Sequence, residues 1–243
     1  MSKVTVPGVH VWFGGNEHLA VYQITDRSGD SAAQLLGDEF DGTLVTDAYA
    51  AYNAVNARHR QICWAHIATR AKEILRQIEL TTPAITVPAC VAFCQKLKPF
   101  ASRLCRLGRQ LRAQQLKRSQ ARAMIPALQR QLRRFAGRPL DYAPAETLRD
   151  RLMNKDPDKL FTFLRVPGVE PTNNHAERSL RFLVIMRKIC FGTRSAAGSQ
   201  SHSVLPSLLA TARRQGKDSL GFLVALLTQP LASARAALYA DSS

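Results

Sequence analysis

The distribution of basic residues constrains this chain more than any other feature of its sequence. Between Arg70 and Arg138 there are 16 Lys or Arg residues and only two acids, Glu73 and Glu79. This segment therefore carries a net charge of +14, out of +16 for all 243 residues. Because the remainder is nearly neutral, the division predicts two structural regions, with the basic one inserted into the middle of the other.

The basic segment is predicted to be helical. Its apolar residues recur at spacings of three and four, which is typical of an amphipathic helix, and arginines occupy other positions. The apolar positions are Leu97, Phe100, Leu104, Leu107 and Leu111. The basic positions are Arg103, Arg106, Arg109 and Arg112. The run MIPALQRQLRRF repeats the pattern, so a helical hairpin is expected, with Pro126 at a kink or at the start of its second helix. The repeated apolar positions are Met124, Leu128, Leu132 and Phe135.

A net charge of +16 favours a polyanionic partner, of which nucleic acid is the commonest. A solvated basic face and a membrane surface are the alternatives. The sequence has no apolar run long enough to span a bilayer, and MSKVTVPGVHVWF lacks the apolar core of a signal peptide, which predicts a cytoplasmic protein. Five cysteines, an odd number, favour reduced thiols over a disulfide framework.

Residues 1–66 have the pattern of a mixed α/β structure. Four β-rich runs, VHVWF, HLAVYQIT, LVTDAY and RQICWAH, predict strands, and DSAAQLLG predicts a short helix between the second and the third. We expect Asp30 or Ser31 to cap this helix and Gly37 to end it. Asp47 follows an apolar strand directly, and the carboxyl end of such a strand is a common place for a ligand or metal site.

The string NNHAERSLRFLVIMRKICFG predicts another helix, with Thr172 or Asn173 as its N-cap. Its expected buried face comprises Ala176, Leu180, Leu183 and Val184. Glu177 falls in the first or second turn, where a capping acid is the purely structural interpretation. GTRSAAGSQSH is predicted to be a flexible, phosphate-binding loop, and two more apolar helices should follow it.

Four strings in this order resemble the catalytic part of transposases of the insertion-sequence-66 family. They are GTLVTDAYAAYNAV, RHRQICWAH, EPTNNHAERSLRFLVIMRKICFGTRSAAGSQ and LLATARRQGKDSLGFL. The resemblance implies the DDE class: a ribonuclease-H-like mixed sheet with an inserted basic α-helical region and C-terminal helices. The implied domains are residues 1–66 for the first part of the core, 67–160 for the insertion and 161–243 for the part with the Glu helix.

The resemblance also implies a site. Asp47 would be the second carboxylate and Glu177 the third, facing each other across a shallow cleft and binding Mg²⁺ or Mn²⁺ for cleavage and transfer of DNA strands. Asn174 and His66 would support them. Basic residues near Glu177 would contact DNA: Arg178, Arg181, Arg187, Lys188 and Arg194. The implied partners are DNA, as element ends and target, and further copies of the chain, in the nucleoid.

Residues 1–16 contain no Asp or Glu, so the first aspartate of the family's triad has no counterpart here. We therefore expect an N-terminally truncated transposase whose sheet has an exposed or abnormally paired edge, which favours self-association. A catalytically silent DNA-binding remnant is the alternative function. Cys63 and His66 allow a zinc site as a further alternative, with Cys90 and Cys94 as the remaining ligands.

Overall fold

The computed structural model describes residues 10–81 and 87–239. Within these ranges the protein is a mixed α/β structure in which helices predominate. The strands are β1 (His10–Gly15), β2 (Ala20–Thr25), β3 (Glu39–Thr46) and β4 (Asn56–Ile62). The helices are α1 (Gly29–Leu36), α2 (Trp64–Thr81), α3 (Pro88–Arg112), α4 (Arg118–Ala136), α5 (Ala143–Asp150), α6 (Thr162–Arg165), α7 (Asn174–Cys190), α8 (Ala196–Arg214), α9 (Ser219–Thr228) and α10 (Leu231–Tyr239).

The chain divides into two compact units. The first has the bounds Met1–Glu39, Ala50–Asn56 and Asn174–Ser243, and the second has Phe40–Tyr49 and Ala57–Asn173. In the described residues the strands pair as two two-stranded sheets, β1 with β2 and β3 with β4. The predicted order of strand, strand, helix, strand and strand is therefore confirmed.

The core of the second unit is built from helices α2 to α6. On α3 the predicted apolar face is confirmed, because Leu97, Phe100, Leu104 and Leu107 are buried and Leu111 is packed against them. The second predicted helix is α4, on which Leu128 and Leu132 are buried and Met124 and Phe135 partly so.

The predicted helical hairpin is α3 and α4, which pack together with the rings of Phe100 and Phe135 5.6 Å apart. Pro126 lies inside α4, which begins at Arg118, so the expectation that Pro126 starts this helix is wrong.

The last predicted strand ends earlier than expected. Strand β4 ends at Ile62, the N–H of Cys63 still donates to the carbonyl of Thr46 (2.8 Å), and α2 begins at Trp64. His66 is therefore in the first turn of a helix rather than in a strand.

The indole N–H of Trp64 donates to the carbonyl of Leu160 at 2.7 Å. Since that bond fixes a fully buried Trp64 inside the core, it holds the start of α2 in place.

In the first unit, β1 and β2 form an antiparallel hairpin in which Gly15 lies opposite Ala20. The helix that follows is capped two or three residues earlier than predicted: Ser28 is the N-cap, and its hydroxyl accepts from the N–H of Ser31 at 3.1 Å. Asp26 accepts hydrogen bonds from Ser28 and Ser31, which lower the pKa of its carboxyl to about 2. Gly37 follows the helix at φ 82°, so the predicted stop is confirmed.

Helix α7 packs on the hairpin through one apolar face. Leu183 is buried against Phe13 and Tyr22, and Leu180 is partly buried beside it. Val184 is 37% exposed, so its predicted place on the buried face is wrong. One residue further along a helix is a rotation of about 100°, which takes Val184 out of the contact.

Helix α8 packs along strand β2 of the hairpin. It begins at Ala196, and the hydroxyl of its N-cap Ser195 accepts from the N–H of Gly198 at 3.1 Å. Most of the predicted loop GTRSAAGSQSH is thus helical, which corrects that prediction. Helices α8 and α9 are the two predicted C-terminal helices, and α10 was not predicted.

Three hydroxyls of α8 bind the backbone of β2. The N–H groups of Ala20, Tyr22 and Ile24 donate to side-chain oxygens of α8 at 3.1, 2.8 and 2.9 Å. The acceptors, spaced four residues apart, are Thr211, Ser207 and Ser203. Side chains of a helix therefore bind the edge of β2 where another strand would otherwise pair. The edge expected from a missing first strand stays a prediction. Self-association of the chain stays a prediction.

Candidate functional site

Asp47 lies immediately after β3, in the second unit, and its side chain is exposed. Its Oδ1 accepts a hydrogen bond from the N–H of Tyr49 at 3.1 Å. Ala48 has a φ of 66°, in the left-handed region, and the guanidinium of Arg151 donates to its carbonyl at 3.2 Å. The chain thus turns sharply after the strand, and Arg151, which directly follows α5, holds the turn in place. These contacts present the Asp47 carboxylate at the carboxyl end of β3, as predicted.

Glu177 lies in the first turn of α7, in the first unit, and its side chain is exposed. The predicted helix and the position of the acid within it are therefore confirmed. Asn174 is the first residue of α7 and is also exposed. Because Asn174 and Glu177 are three residues apart, their side chains share one side of the helix. The approach of Asp47 to Glu177 stays a prediction.

The basic residues after Glu177 form an exposed set in the first unit. On α7 the exposed side opposite Leu183 carries most of them, so they are available to a ligand in solvent. The members are Arg178, Arg181, Arg187, Lys188 and Arg194. Burial, together with the positive charges of Arg27 and Arg187, lowers the pKa of His10 on β1. Positive charge thus extends from α7 to the start of the hairpin.

His66 and Cys63 are adjacent to the end of β4. Cys63 is buried, and its sulfur accepts from the N–H of Asn173 at 3.3 Å. His66 is half-buried in the first turn of α2. Strand β4 pairs with β3, which ends just before Asp47, but His66 belongs to the helix that follows β4.

The tetrahedral zinc alternative is not supported by the thiols of α3. Cys90 and Cys94 are buried in the core, and burial raises the pKa of Cys94 to about 12. Zinc binds the thiolate, so a thiol of this kind is a poor ligand. Among the described residues, neither cysteine belongs to a group of three or more metal-ligating side chains. All five cysteines are free thiols, as the sequence predicted.

The predicted basic face of α3 is exposed at each of its four arginines. Arg103 donates to the side-chain oxygen of Gln131 on α4 at 2.9 Å, and Arg112 forms an ion pair with Glu170. In the described part of the chain Arg106 and Arg109 have no acidic partner. These two guanidinium groups are therefore available to an external anion.

Helix α4 adds basic residues that the sequence interpretation did not single out. They are exposed on the side of α4 opposite its buried leucines. The members are Arg122, Arg130, Arg133 and Arg134. Their spacing against Leu128 and Leu132 was the signal that could have identified them.

These features define a strongly basic, helix-rich α/β protein with exposed carboxylates after a strand and in the first turn of a helix. The family model described as "Transposase IS66 family" matches residues 8–201, and the chain belongs to that family. The resemblance inferred from the four sequence strings is thereby confirmed.

A curated relative is the uncharacterized protein y4qI of Sinorhizobium fredii (strain NBRC 101917 / NGR234). It is 26% identical over 237 residues, which cover 89% of this chain. The chain spans 41% of the length of that relative. No solved structure matches the chain. None of the helices in the described ranges has the length and apolar character that crossing a membrane requires.

Proposed function

We propose that this chain contributes to the site of a DDE transposase with a ribonuclease-H-like core, at which DNA strands are cleaved and transferred. In this proposal Asp47 and Glu177 bind Mg²⁺ or Mn²⁺, and the basic helices hold DNA. The observation that carries it is the family match, whose span includes the strand-end carboxylate of Asp47 and the helix carboxylate of Glu177. The basic helices between them form the inserted region of residues 67–160.

The donor chemistry of these residues suits the proposed metal. Mg²⁺ and Mn²⁺ prefer hard oxygen ligands, and both side chains are exposed carboxylates. Such an ion, when bound, stabilises charge that develops on the attacking and leaving oxygens of a phosphodiester. The N–H of Tyr49 orients the Asp47 carboxylate through Oδ1, and Asn174 would orient Glu177 or contact DNA.

The remaining roles belong to cations. Arg178 and Arg181 follow Glu177 on α7 and would hold phosphates close to the carboxylates. Arg106 and Arg109 would contact the DNA backbone further away, since phosphate contacts position a duplex without reading its sequence. A DNA substrate, as element ends and target, would place the protein at the nucleoid.

Metal binding tests the carboxylates directly. We expect Asp47→Asn and Glu177→Gln to weaken Mn²⁺ binding by about tenfold or more, as measured by electron paramagnetic resonance of the full chain. Asp41→Asn and Glu79→Gln change exposed acids on β3 and α2 and serve as matched controls. Loss of Mn²⁺-dependent cleavage of an element-end duplex in the same two variants would support the chemistry. Equal Mn²⁺ affinity in all four variants would refute the proposal.

DNA binding without chemistry is a second candidate function. The observation that favours it is the exposed arginine face of α3, where Arg106 and Arg109 have no acidic partner within the described residues. It predicts that DNA affinity is independent of Mn²⁺ and unchanged by Asp47→Asn. The same titrations, repeated with labelled duplex by fluorescence anisotropy, distinguish the two functions.

A further inference from the structure

Arg214, at the end of α8, joins three parts of the first unit. One of its terminal nitrogens donates to the carbonyls of Asn16 and Leu19, both at 2.5 Å, in the turn between β1 and β2. The other donates to the hydroxyl of Ser179 on α7 at 2.7 Å. The guanidinium carbon also lies 5.3 Å from the centre of the Phe13 ring. One side chain therefore ties α7 to the hairpin on which it packs.

Both the hydroxyl and the backbone carbonyl of Ser179 form hydrogen bonds. Its hydroxyl, which accepts from Arg214, donates to the carbonyl of His175 at 2.8 Å. Its own carbonyl accepts from the hydroxyl of Tyr22 at 3.0 Å. Ser179 lies two residues after Glu177, and His175 lies two residues before it. The hydrogen bonds thus hold the backbone on both sides of Glu177.

An arginine at position 214 carries a desolvation cost that a purely structural side chain would not need. The side chain is half-buried, burial lowers its pKa, and its hydrogen-bond partners named above are neutral. A half-buried cation whose hydrogen-bond partners are neutral retains part of a desolvation penalty that an apolar side chain would avoid. Arginine is, however, the side chain whose planar fork reaches several acceptors in fixed directions.

We propose that Arg214, Ser179 and Tyr22 are positioning residues that fix the rotation and axial register of the first turns of α7, and thereby the direction of the Glu177 carboxylate. The proposal rests on the proposed function of Glu177. Functional side chains need to be held within about 0.5 Å and about 10–20° of their working geometry. The apolar contact of Leu183 with Phe13 and Tyr22 leaves sliding of the helix less restricted than directed hydrogen bonds do.

The test compares variants that loosen α7 with one that weakens the same unit elsewhere. Ser179→Ala removes the hydroxyl, Arg214→Lys keeps the charge but loses the fork, and Tyr22→Phe removes a single hydroxyl. Ser203→Ala is the matched control, because the Ser203 hydroxyl binds Ile24 of β2 and Ser199 of its own helix. Ser179→Thr keeps the hydroxyl and should behave as the unchanged protein.

Two measurements on the full chain decide the matter. We expect Ser179→Ala and Arg214→Lys to lower Mn²⁺ affinity by about tenfold, a typical effect of losing an orienting partner, and to raise amide hydrogen exchange around Glu177. Tyr22→Phe should act in the same direction, and Ser203→Ala should change neither quantity. Unchanged exchange in Ser179→Ala and Arg214→Lys overturns the positioning role.

Glu177→Gln separates this inference from the proposed function. If Glu177→Gln lowers Mn²⁺ affinity but Ser179→Ala and Arg214→Lys do not, the positioning role is wrong and the metal site stands. If Glu177→Gln leaves Mn²⁺ affinity unchanged, the metal role of Glu177 and the positioning role both fall.

Discussion

Gly108 shows how a single residue can decide the packing of two segments distant in sequence. A Cβ at this position on α3 would lie 2.6 Å from Cδ and 2.7 Å from Cγ of Pro171. The carbonyl of Pro171 accepts from the N–H of Trp64 at 2.9 Å, which holds the backbone of Pro171 in place. Only glycine allows this approach, because it has no Cβ.

We expect Gly108→Ala to lower the free energy of unfolding by about 1–3 kcal/mol, the usual cost of overpacking a core. Helix propensity by itself favours alanine by about 1 kcal/mol, so the cost of the contact with Pro171 must exceed that gain. Urea unfolding followed by circular dichroism measures the difference. Ser102→Ala, at an exposed position on the same helix, is the control and should change stability by less than about 0.5 kcal/mol. A stabilised Gly108→Ala would contradict the close contact.

At the scale of elements, the edge of β2 depends on α8. Thr211 is 2% exposed, accepts from the N–H of Ala20 at 3.1 Å and donates to its carbonyl at 3.0 Å. Hydroxyls can satisfy both kinds of backbone group, whereas an apolar helix would leave them buried without partners. The serines and threonine at four-residue spacing on α8 therefore serve as a substitute for a neighbouring strand.

Thr211→Val keeps the shape of the side chain and removes its hydroxyl. We expect it to lower the free energy of unfolding by about 1–3 kcal/mol, because the polar groups of Ala20 lose their partner. It should also increase self-association, since an unpaired strand edge is a template for pairing with another chain. Thermal unfolding and sedimentation velocity measure the two effects. Thr228→Val, which removes an exposed hydroxyl on α9, should do neither.

At the scale of the whole molecule, charge is concentrated rather than spread. The segment Arg70–Arg138 holds +14 of the total of +16. DNA binding through such a surface releases counterions, so affinity should fall steeply with salt and depend little on sequence. Fluorescence anisotropy with unrelated duplexes between about 50 and 200 mM salt measures this.

The double variant Arg106→Gln, Arg109→Gln should reduce the slope of log affinity against log salt by about 1 to 2, since each phosphate contact contributes about 0.9. Arg58→Gln is the control, because Arg58 pairs with Asp41 at 3.3 Å. A flat response to salt, or an equal loss of slope in the control, would argue against the arginine face as the DNA contact.

Local patterns in the sequence predicted what depends on neighbouring residues. The spacing of Leu97, Leu104 and Leu128 was sufficient to predict two helices and their buried faces, because a helix has a fixed period. The apolar, β-branched run before Asp47 likewise predicted a strand with an acid at its end. The run ICWAH was misassigned because a short apolar string is compatible with both strand and helix, and the bond of Trp64 to Leu160 decided for the helix.

By itself, the sequence determined the family, the strand-end carboxylate of Asp47, the first-turn position of Glu177 and the basic amphipathic helices, because each depends on residues close together in the chain. Only the tertiary structure decided that Gly108 meets Pro171, that Thr211 binds Ala20 and that Arg214 reaches Ser179. The last two pairs are 191 and 35 residues apart. A hydrogen bond across such a separation leaves no periodic signal in the sequence, since its partners come together only when the elements that carry them have packed.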